Sequence, residues 1–555
     1  MIRYLTAFLA AASLAACAHS PVDPVLAPAS SDAPVVRTSQ GGLQGSRDGS
    51  VRSFKGIPFA QAPVGPLRWQ APRPHPGWSG TRQAVEFGAS CVQPVVSTAA
   101  NSVYADDPTP ISEDCLFLNV WAPEDARDAP VFVWIHGGAL VSGSSKFGMY
   151  DGARMAEQGI VFVSVNYRLG PLGYLAHPEL SAESADGVSG NYGLLDQIAA
   201  LRWVENNIAA FGGDPDQVTV AGESAGALSV MYLMTSPAAR GLFDRAISQS
   251  GYMISSPALD ETVHGHLSAE NQGLWLQEKL GKADLAGLRA MDARQLTDTA
   301  LGAGFLTWGT IDGKVIPRQT YESFRRGEQA PVPLLAGFNS GEIRTLRRLL
   351  PPPPDDAAAY RTAIEASYGD LAPRFLALYP PTDIDESMLA TTRDALYGWT
   401  AERMVRDQHA LGKDAWLYLY DHGYPSTDAA GLHAFHAAEI PFVLGNTDKV
   451  TPNWPAIPDT PAERRFADTL FSYWVSFARG GQPQAPGAPA WPAYGSEGKM
   501  MVLADGFDVR SGGIGPAFAL QDEVVCRRSA QGATPWHWNV GIASPVNPAP
   551  IPSCR

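Results

Sequence analysis

The apolar run Val218-Thr219-Val220-Ala221 leads without a break into Gly222-Glu223-Ser224-Ala225-Gly226, a G-x-S-x-G pattern. A strand that ends in this pentapeptide and continues as a helix has to turn very sharply, and only small flanking residues leave room for that. The two glycines supply the room. The turn holds the Ser224 hydroxyl out at the end of a sheet, where an imidazole and a carbonyl carbon can both reach it, which is the position of an acyl-transfer nucleophile. Five residues with three fixed positions recur by chance in a chain of 54 glycines, so the surroundings carry the argument.

Further apolar runs occur at Val131–Ile135, Ile160–Val165 and Val332–Ala336, each followed by a glycine-bearing loop. Continuous apolar strands imply a sheet covered on both faces. Leu194, Ile198, Leu201, Val204 and Ile208 recur at spacings of three and four, the apolar face of a helix. This alternation predicts an α/β fold with a mostly parallel central sheet and helices on both faces. With 555 residues and 45% hydrophobic content, the chain can bury that core in one large domain, 40–555. An alanine-rich helical insertion is predicted at about 351–412, near the mouth of the site. The last fifty residues, with Gly512-Gly513, Pro545, Pro548, Pro550 and Pro552, read as irregular.

The N-terminus starts Met1-Ile2-Arg3 and runs through a short apolar stretch to Leu14-Ala15-Ala16-Cys17. It reads as a secretion signal over 1–16, too short to span a bilayer as a mature helix. The Leu-Ala-Ala-Cys ending resembles a bacterial lipobox, with Cys17 as the lipidated first residue of the mature protein; ordinary cleavage nearby is the alternative. Residues 17–39, rich in Pro, Ala and Ser, would then be the tether. The chain is expected to be exported to the periplasm or cell envelope and to meet the membrane only through this anchor. Apart from Cys17 there are four cysteines, and sequence order favours Cys91 with Cys115 and Cys526 with Cys554. No His/Cys cluster has zinc spacing, so neither metal nor cofactor is expected. With 41 basic and 56 acidic residues, a net charge of −15, nucleic acid is not an expected partner.

A serine nucleophile needs donors for its oxyanion and a base with a group to orient it. His136-Gly137-Gly138-Ala139 follows the run Val131–Ile135, and a glycine-rich turn there can aim the N–H groups of Gly137 and Gly138, with that of Ala225, at one point. Of eleven histidines, His433 and His436 fall late in the chain, downstream of every strand placed above. Composition alone does not choose between them.

Longer stretches do. Phe211-Gly212-Gly213-Asp214-Pro215 through Gly226, and Glu113-Asp114-Cys115-Leu116-Phe117-Leu118-Asn119-Val120-Trp121, resemble the two signatures of the type-B carboxylesterases, a family that includes cholinesterases and bacterial para-nitrobenzyl esterases. Phe54–Ala60, Leu67-Arg68-Trp69, Asn166-Tyr167-Arg168 and Gly190–Leu194 are similar to the same family in the same order. The resemblance covers nearly the whole exported chain. It implies an α/β-hydrolase fold and hydrolysis of small-molecule esters through a serine, a glutamate and a histidine. By position His436 is the base, because it precedes Ala437–Gly445, and Glu342, in Gly337–Glu342, is the acid that orients it. It also implies the Cys91–Cys115 disulfide, an Arg68–Glu113 core ion pair and a buried, hydrogen-bonded Glu223. The chain departs from the pattern at Gly341, where an acidic residue is usual, at Ile343, where glycine is usual, and at Leu140, where phenylalanine is common.

In the expected reaction His436 deprotonates Ser224, and an acyl-enzyme forms and is hydrolysed. An ordinary histidine base, with a pKa near roughly 6.5 to 7, would lose activity below about pH 6. The loops around Leu140, Gly304 to Trp308 and the insertion would set the ester preference. Two alternatives are a non-catalytic adhesion module on the same fold and a serine hydrolase with lipase or peptidase preference.

Overall fold

In the computed structural model, which describes residues 33–94, 102–512 and 515–554, the apolar runs form the middle of an eleven-stranded sheet. Its strands are β1 (Ser46–Asp48), β2 (Val51–Pro58), β3 (Phe117–Pro123), β4 (Ala129–Ile135), β5 (Val161–Val165), β6 (Gly213–Glu223), β7 (Arg245–Gln249), β8 (Leu334–Asn339), β9 (Ala415–Tyr420), β10 (Lys499–Leu503) and β11 (Phe507–Ser511). Their order across the sheet is β11-β10-β9-β8-β7-β6-β4-β5-β3-β2-β1. The pairings from β10 through β5 are all parallel, while β11 at one edge and the β3-β2-β1 group at the other are antiparallel. This is the mostly parallel arrangement expected from the runs, and it agrees with the α/β-hydrolase fold that the family resemblance implies. Every residue of β5, β8 and β9 is buried, as strands covered on both faces must be.

Successive residues of a strand point to opposite faces, and here they feed two separate cores. Val131, Val133 and Ile135 join one apolar cluster with Leu194, Ile198, Leu201 and Val204 of helix α1 (Tyr192–Asn207) and with Met231 of α2 (Ala225–Thr235). Phe132 and Trp134 join the other, with Leu470, Trp474 and Phe477 of α4 (Pro461–Gly480). Helix α3 (Trp399–Ala410) packs on the first face. Each fully buried large apolar side chain contributes roughly 1.5–3 kcal/mol, so the two clusters pin the register. The connection between β8 and β9 carries the helices Ala357–Tyr368, Ala372–Leu378 and Ile384–Arg393 before α3.

Both ends of the chain differ from the expectation. The leader, Cys17 and the tether up to residue 32 lie outside the described residues. The end of the expected tether, however, is already folded: Val35–Thr38 pairs antiparallel with Gly41–Gln44, and Val36 is buried. At the other end, helix α5 (Gly515–Gln531) occupies part of the stretch that read as irregular. Glycines and prolines flank it, but Ala517, Phe518, Val524 and Val525 are buried at helical spacing. Arg527 pairs with Asp370 and Glu523, and Arg528 donates to Pro535 O, Ser544 Oγ and Asn547 Oδ1, holding the tail. Cys526–Cys554 and Cys91–Cys115 are disulfide-bonded. Arg68 and Glu113 form a two-pronged pair at 2.6 and 2.7 Å. Among the described residues no helix is long and apolar enough to cross a membrane.

Arg168 and Asp196, 4% and 0% exposed, share three hydrogen bonds that tie the β5 loop to α1. Arg168→Met leaves a buried carboxylate without its cation and is expected to cost about 3–5 kcal/mol in urea unfolding. Arg154→Ala, on an exposed pair with Glu157, should stay within about 0.5 kcal/mol. Equal losses in the two variants would contradict this reading.

Candidate active site

β6 ends at Glu223 and α2 begins at Ala225, so Ser224 alone makes the turn, with φ 56° and ψ −118°. That conformation is strained for a residue with a side chain, at a cost of order 1–3 kcal/mol. The surroundings hold it: Ser224 N–H donates to Gln249 O at 2.9 Å. A Cβ on Gly226 would lie 2.1 Å from Ile135 O, and one on Gly222 would lie 2.5 Å from the carbonyl carbon of Gly226. No residue larger than glycine fits at either place. Ser224 is half-buried and so can be reached from outside.

β4 lies beside β6, and its C-terminal turn meets the serine. A Cβ on Gly137 would come within 3.2 Å of Ser224 Cβ, so backbone packs directly against Ser224. The N–H groups of Gly137, Gly138 and Ala225 have no acceptor among the described residues, which leaves them free to bind a developing negative charge. His136 keeps the turn in shape: its Nδ1 bonds Gly137 O at 2.8 Å and its ring stacks on Tyr167. Burial lowers its pKa to about 4, so it stays neutral. Leu140 has φ 60° and is fully buried, its carbonyl accepting from Gly170 N–H. It belongs to the turn's foundation, so its side chain does not form exposed pocket wall as a gorge-lining residue would.

The two late histidines separate. His433 is half-buried and sits between Asp421 and Asp428, at 3.1 and 2.9 Å. His436 is buried, and its Nδ1 is hydrogen-bonded to Glu342 Oε2. The other oxygen of Glu342 accepts from Asn339 N–H at 2.9 Å, so both are occupied. With Nδ1 donating, the neutral ring presents Nε2 as an acceptor.

Gly341 explains one departure from the family pattern. Its N–H donates to Ala434 O, and it bridges to Phe435, joining the Glu342 loop to the His436 loop. A Cβ there would stand 2.8 Å from both Ala434 O and Leu432 O, so no side chain, acidic or otherwise, fits without moving backbone.

Two more buried carboxylates surround the imidazole. Glu223 is buried, as expected, and its Oε1 lies 3.2 Å from His436 Nε2 with no hydrogen-bond partner of its own among the described residues. Glu439 accepts from Asn339 Nδ2 at 2.6 Å and Gln249 Nε2 at 2.9 Å, and Trp474 Nε1 donates to Gln249 Oε1 at 3.0 Å. Burial opposes charge on His436, yet Glu223, Glu342 and Glu439 outweigh it and raise its pKa to about 9, above the ordinary value expected from sequence. Burial raises Glu223 to about 8, with His436 pulling it back. The two groups titrate as a coupled pair.

Glu439, Gln249 and Asn339 were not singled out in the sequence. The available signal was a lone acid inside the apolar stretch Ala437–Leu444. Among the described residues no group of three or more His, Cys, Asp or Glu could hold a metal ion.

Residues 32–510 match the family described as the carboxylesterase family. Fumonisin B1 esterase of Sphingopyxis macrogoltabida is 35% identical over 510 residues, covering 88% of this chain and 90% of the relative. Para-nitrobenzyl esterase of Bacillus subtilis is 36% identical over 479 residues, covering 85% and 94%. A solved PNB esterase structure superposes with a TM-score of 0.75 at 31% identity, covering 88% of this chain and 99% of that one.

The charge balance around His436 generates a direct expectation. A cationic acid whose pKa is raised by nearby anions loses that increment when an anion is removed. Glu223→Gln should therefore lower the His436 titration midpoint by about one unit or more, as read by NMR on protein carrying isotope-labelled histidine. An unchanged or higher midpoint would contradict the assigned cause.

Proposed function

The chain belongs to the carboxylesterase family, and on that premise we propose that it cleaves its esters through a Ser224–His436–Glu342 triad and an acyl-enzyme intermediate. The family membership makes it a carboxylesterase acting on small-molecule esters. The observation that supports the finer reading is the hydrogen bond between His436 Nδ1 and Glu342, both buried, with the far nitrogen of the ring 3.2 Å from Glu223, the residue before Ser224 and its strained turn.

In the proposed sequence, neutral His436 takes the Ser224 proton on Nε2 as the serine oxygen attacks the ester carbonyl. The N–H groups of Gly137, Gly138 and Ala225 receive the oxyanion, and Glu342 stabilises the imidazolium. Collapse of the tetrahedral intermediate expels the alcohol, which takes the proton from Nε2. Water then enters, gives a proton to His436 and attacks the acyl carbon; the carboxylic acid departs and Ser224 regains its proton. The base works only when neutral, so the acidic arm of the rate profile should follow His436 and lie above the position that an unperturbed histidine would give.

Two disulfides among the described residues suit an oxidising compartment. We propose that the protein is exported and held at the membrane by lipid on Cys17, the Leu14-Ala15-Ala16-Cys17 ending being the support.

Ser224→Ala should lower kcat on a nitrophenyl ester by about 10⁴-fold or more and abolish labelling by a fluorophosphonate probe. Retained activity or labelling would sink the nucleophile. Cys17→Ser should move the protein from the membrane fraction to the soluble one and end incorporation of labelled fatty acid; unchanged membrane association would refute the anchor.

A further inference from the structure

One hydroxyl outside the residues assigned above touches both loops that carry the acid and the base. Tyr104 donates to His436 O at 2.8 Å and lies 2.6 Å from Thr345 Oγ1. A phenol has one proton, and a carbonyl can only accept. With that proton committed to His436 O, the Thr345 hydroxyl is the donor to the Tyr104 oxygen. Thr345 ends the short turn Glu342–Arg344. A relay of two hydrogen bonds thus runs from the end of the acid's own turn, through Tyr104, to the peptide of the base. Burial, with Glu223, Glu342 and Glu439 adding to it, pushes the Tyr104 pKa well above the usual phenol value, so the proton stays in place.

The peptide held in this way needs holding. Ala437, immediately after His436, has φ 68°, a left-handed conformation that is unfavourable for an L-residue. A carbonyl beside such a residue swings readily unless it is tied, and the imidazole would swing with it. The tyrosine itself is well fixed. Its ring packs against Phe435, His436 and Trp454. The residue before it is bonded through Val103 O to Thr451 Oγ1, and Ser102 O accepts from Asn453 Nδ2 at 3.2 Å. Further along, Cys115 is tied to Cys91 by a disulfide.

We propose that Tyr104 is a positioning residue for the hydrolysis, clamping the Glu342 loop to the His436 loop so that the imidazole is set against its carboxylate. This rests on the triad reading above. Tyr104→Phe keeps the packed ring and removes only the hydroxyl. A single such hydrogen bond is worth about 0.5–1.5 kcal/mol net, so kcat on a nitrophenyl ester should fall about three- to tenfold with KM within about twofold. Thr345→Val, which breaks the outer link, should lower kcat in the same direction by less.

The discriminating readout is the deshielded proton of His436 Nδ1, observed by NMR and assigned by its loss in Glu342→Gln. It should move upfield in Tyr104→Phe if the clamp sets that hydrogen bond. An unchanged kcat, a change confined to KM, or an unmoved proton resonance alongside a lowered Tm would each overturn the proposal, the last by showing plain packing. Ser224→Ala and His436→Ala are measured beside these variants. If either is fully active, the triad fails and the clamp with it; if both are inactive, the Tyr104 results bear on the clamp alone.

Discussion

Placing three carboxylates around one imidazole without solvent is the constraint on which the centre of this protein is built. Glu223, Glu342 and Glu439 are each at most 3% exposed, and buried anions are costly unless neighbours answer them. Asn339 answers twice, with its backbone N–H to Glu342 and its side chain to Glu439. Gln249 answers Glu439 and accepts from Trp474, which brings α4, on the far face of the sheet, into the same network. The last residues of β7 and β8, Gln249 and Asn339, are therefore polar. Glu223 faces the other side of the His436 ring, 3.2 Å from Nε2, and its proton balance is bound to that ring.

Close backbone approach supplies the other half of the design. Three glycines, Gly222, Gly226 and Gly341, occupy places where a Cβ would strike a neighbouring main chain. The first two let β6, its turn and α2 fit under the end of β4. The third lets the Glu342 loop and the His436 loop touch. Precision in this centre comes from main chain packed on main chain, which side-chain motion does not loosen.

The sheet was legible in the sequence because its parallel strands are buried on both faces and so read as unbroken apolar runs; the serine turn was legible because its glycines are sterically obligatory. Helix α1 announced itself by spacing. The choice of His436 over His433 came from resemblance alone, since each histidine lies among acids and only the fold decides which acids are buried. Helix α5 was hidden by the glycines and prolines around it, and its buried Arg527 and Arg528 do not look like core residues. Tyr104 could not be foreseen, because its partners, Thr345 and His436, lie hundreds of residues away in the chain, and nothing local marks a tyrosine that reaches across such a distance. The raised pKa of His436 was missed for the same reason.

The hydrogen bond from Trp474 to Gln249 has a consequence in time. A chain made from its N-terminus acquires the turn at Ser224 first, then Glu342 at the end of β8, then His436 after β9. The network that satisfies Glu439 is complete only when residue 474 has emerged and α4 has folded against the sheet. A chain that stops short of α4 thus leaves Gln249 without its indole donor and one face of the sheet bare, so the buried polar network is finished late, with the covering of a face, instead of growing in step with length.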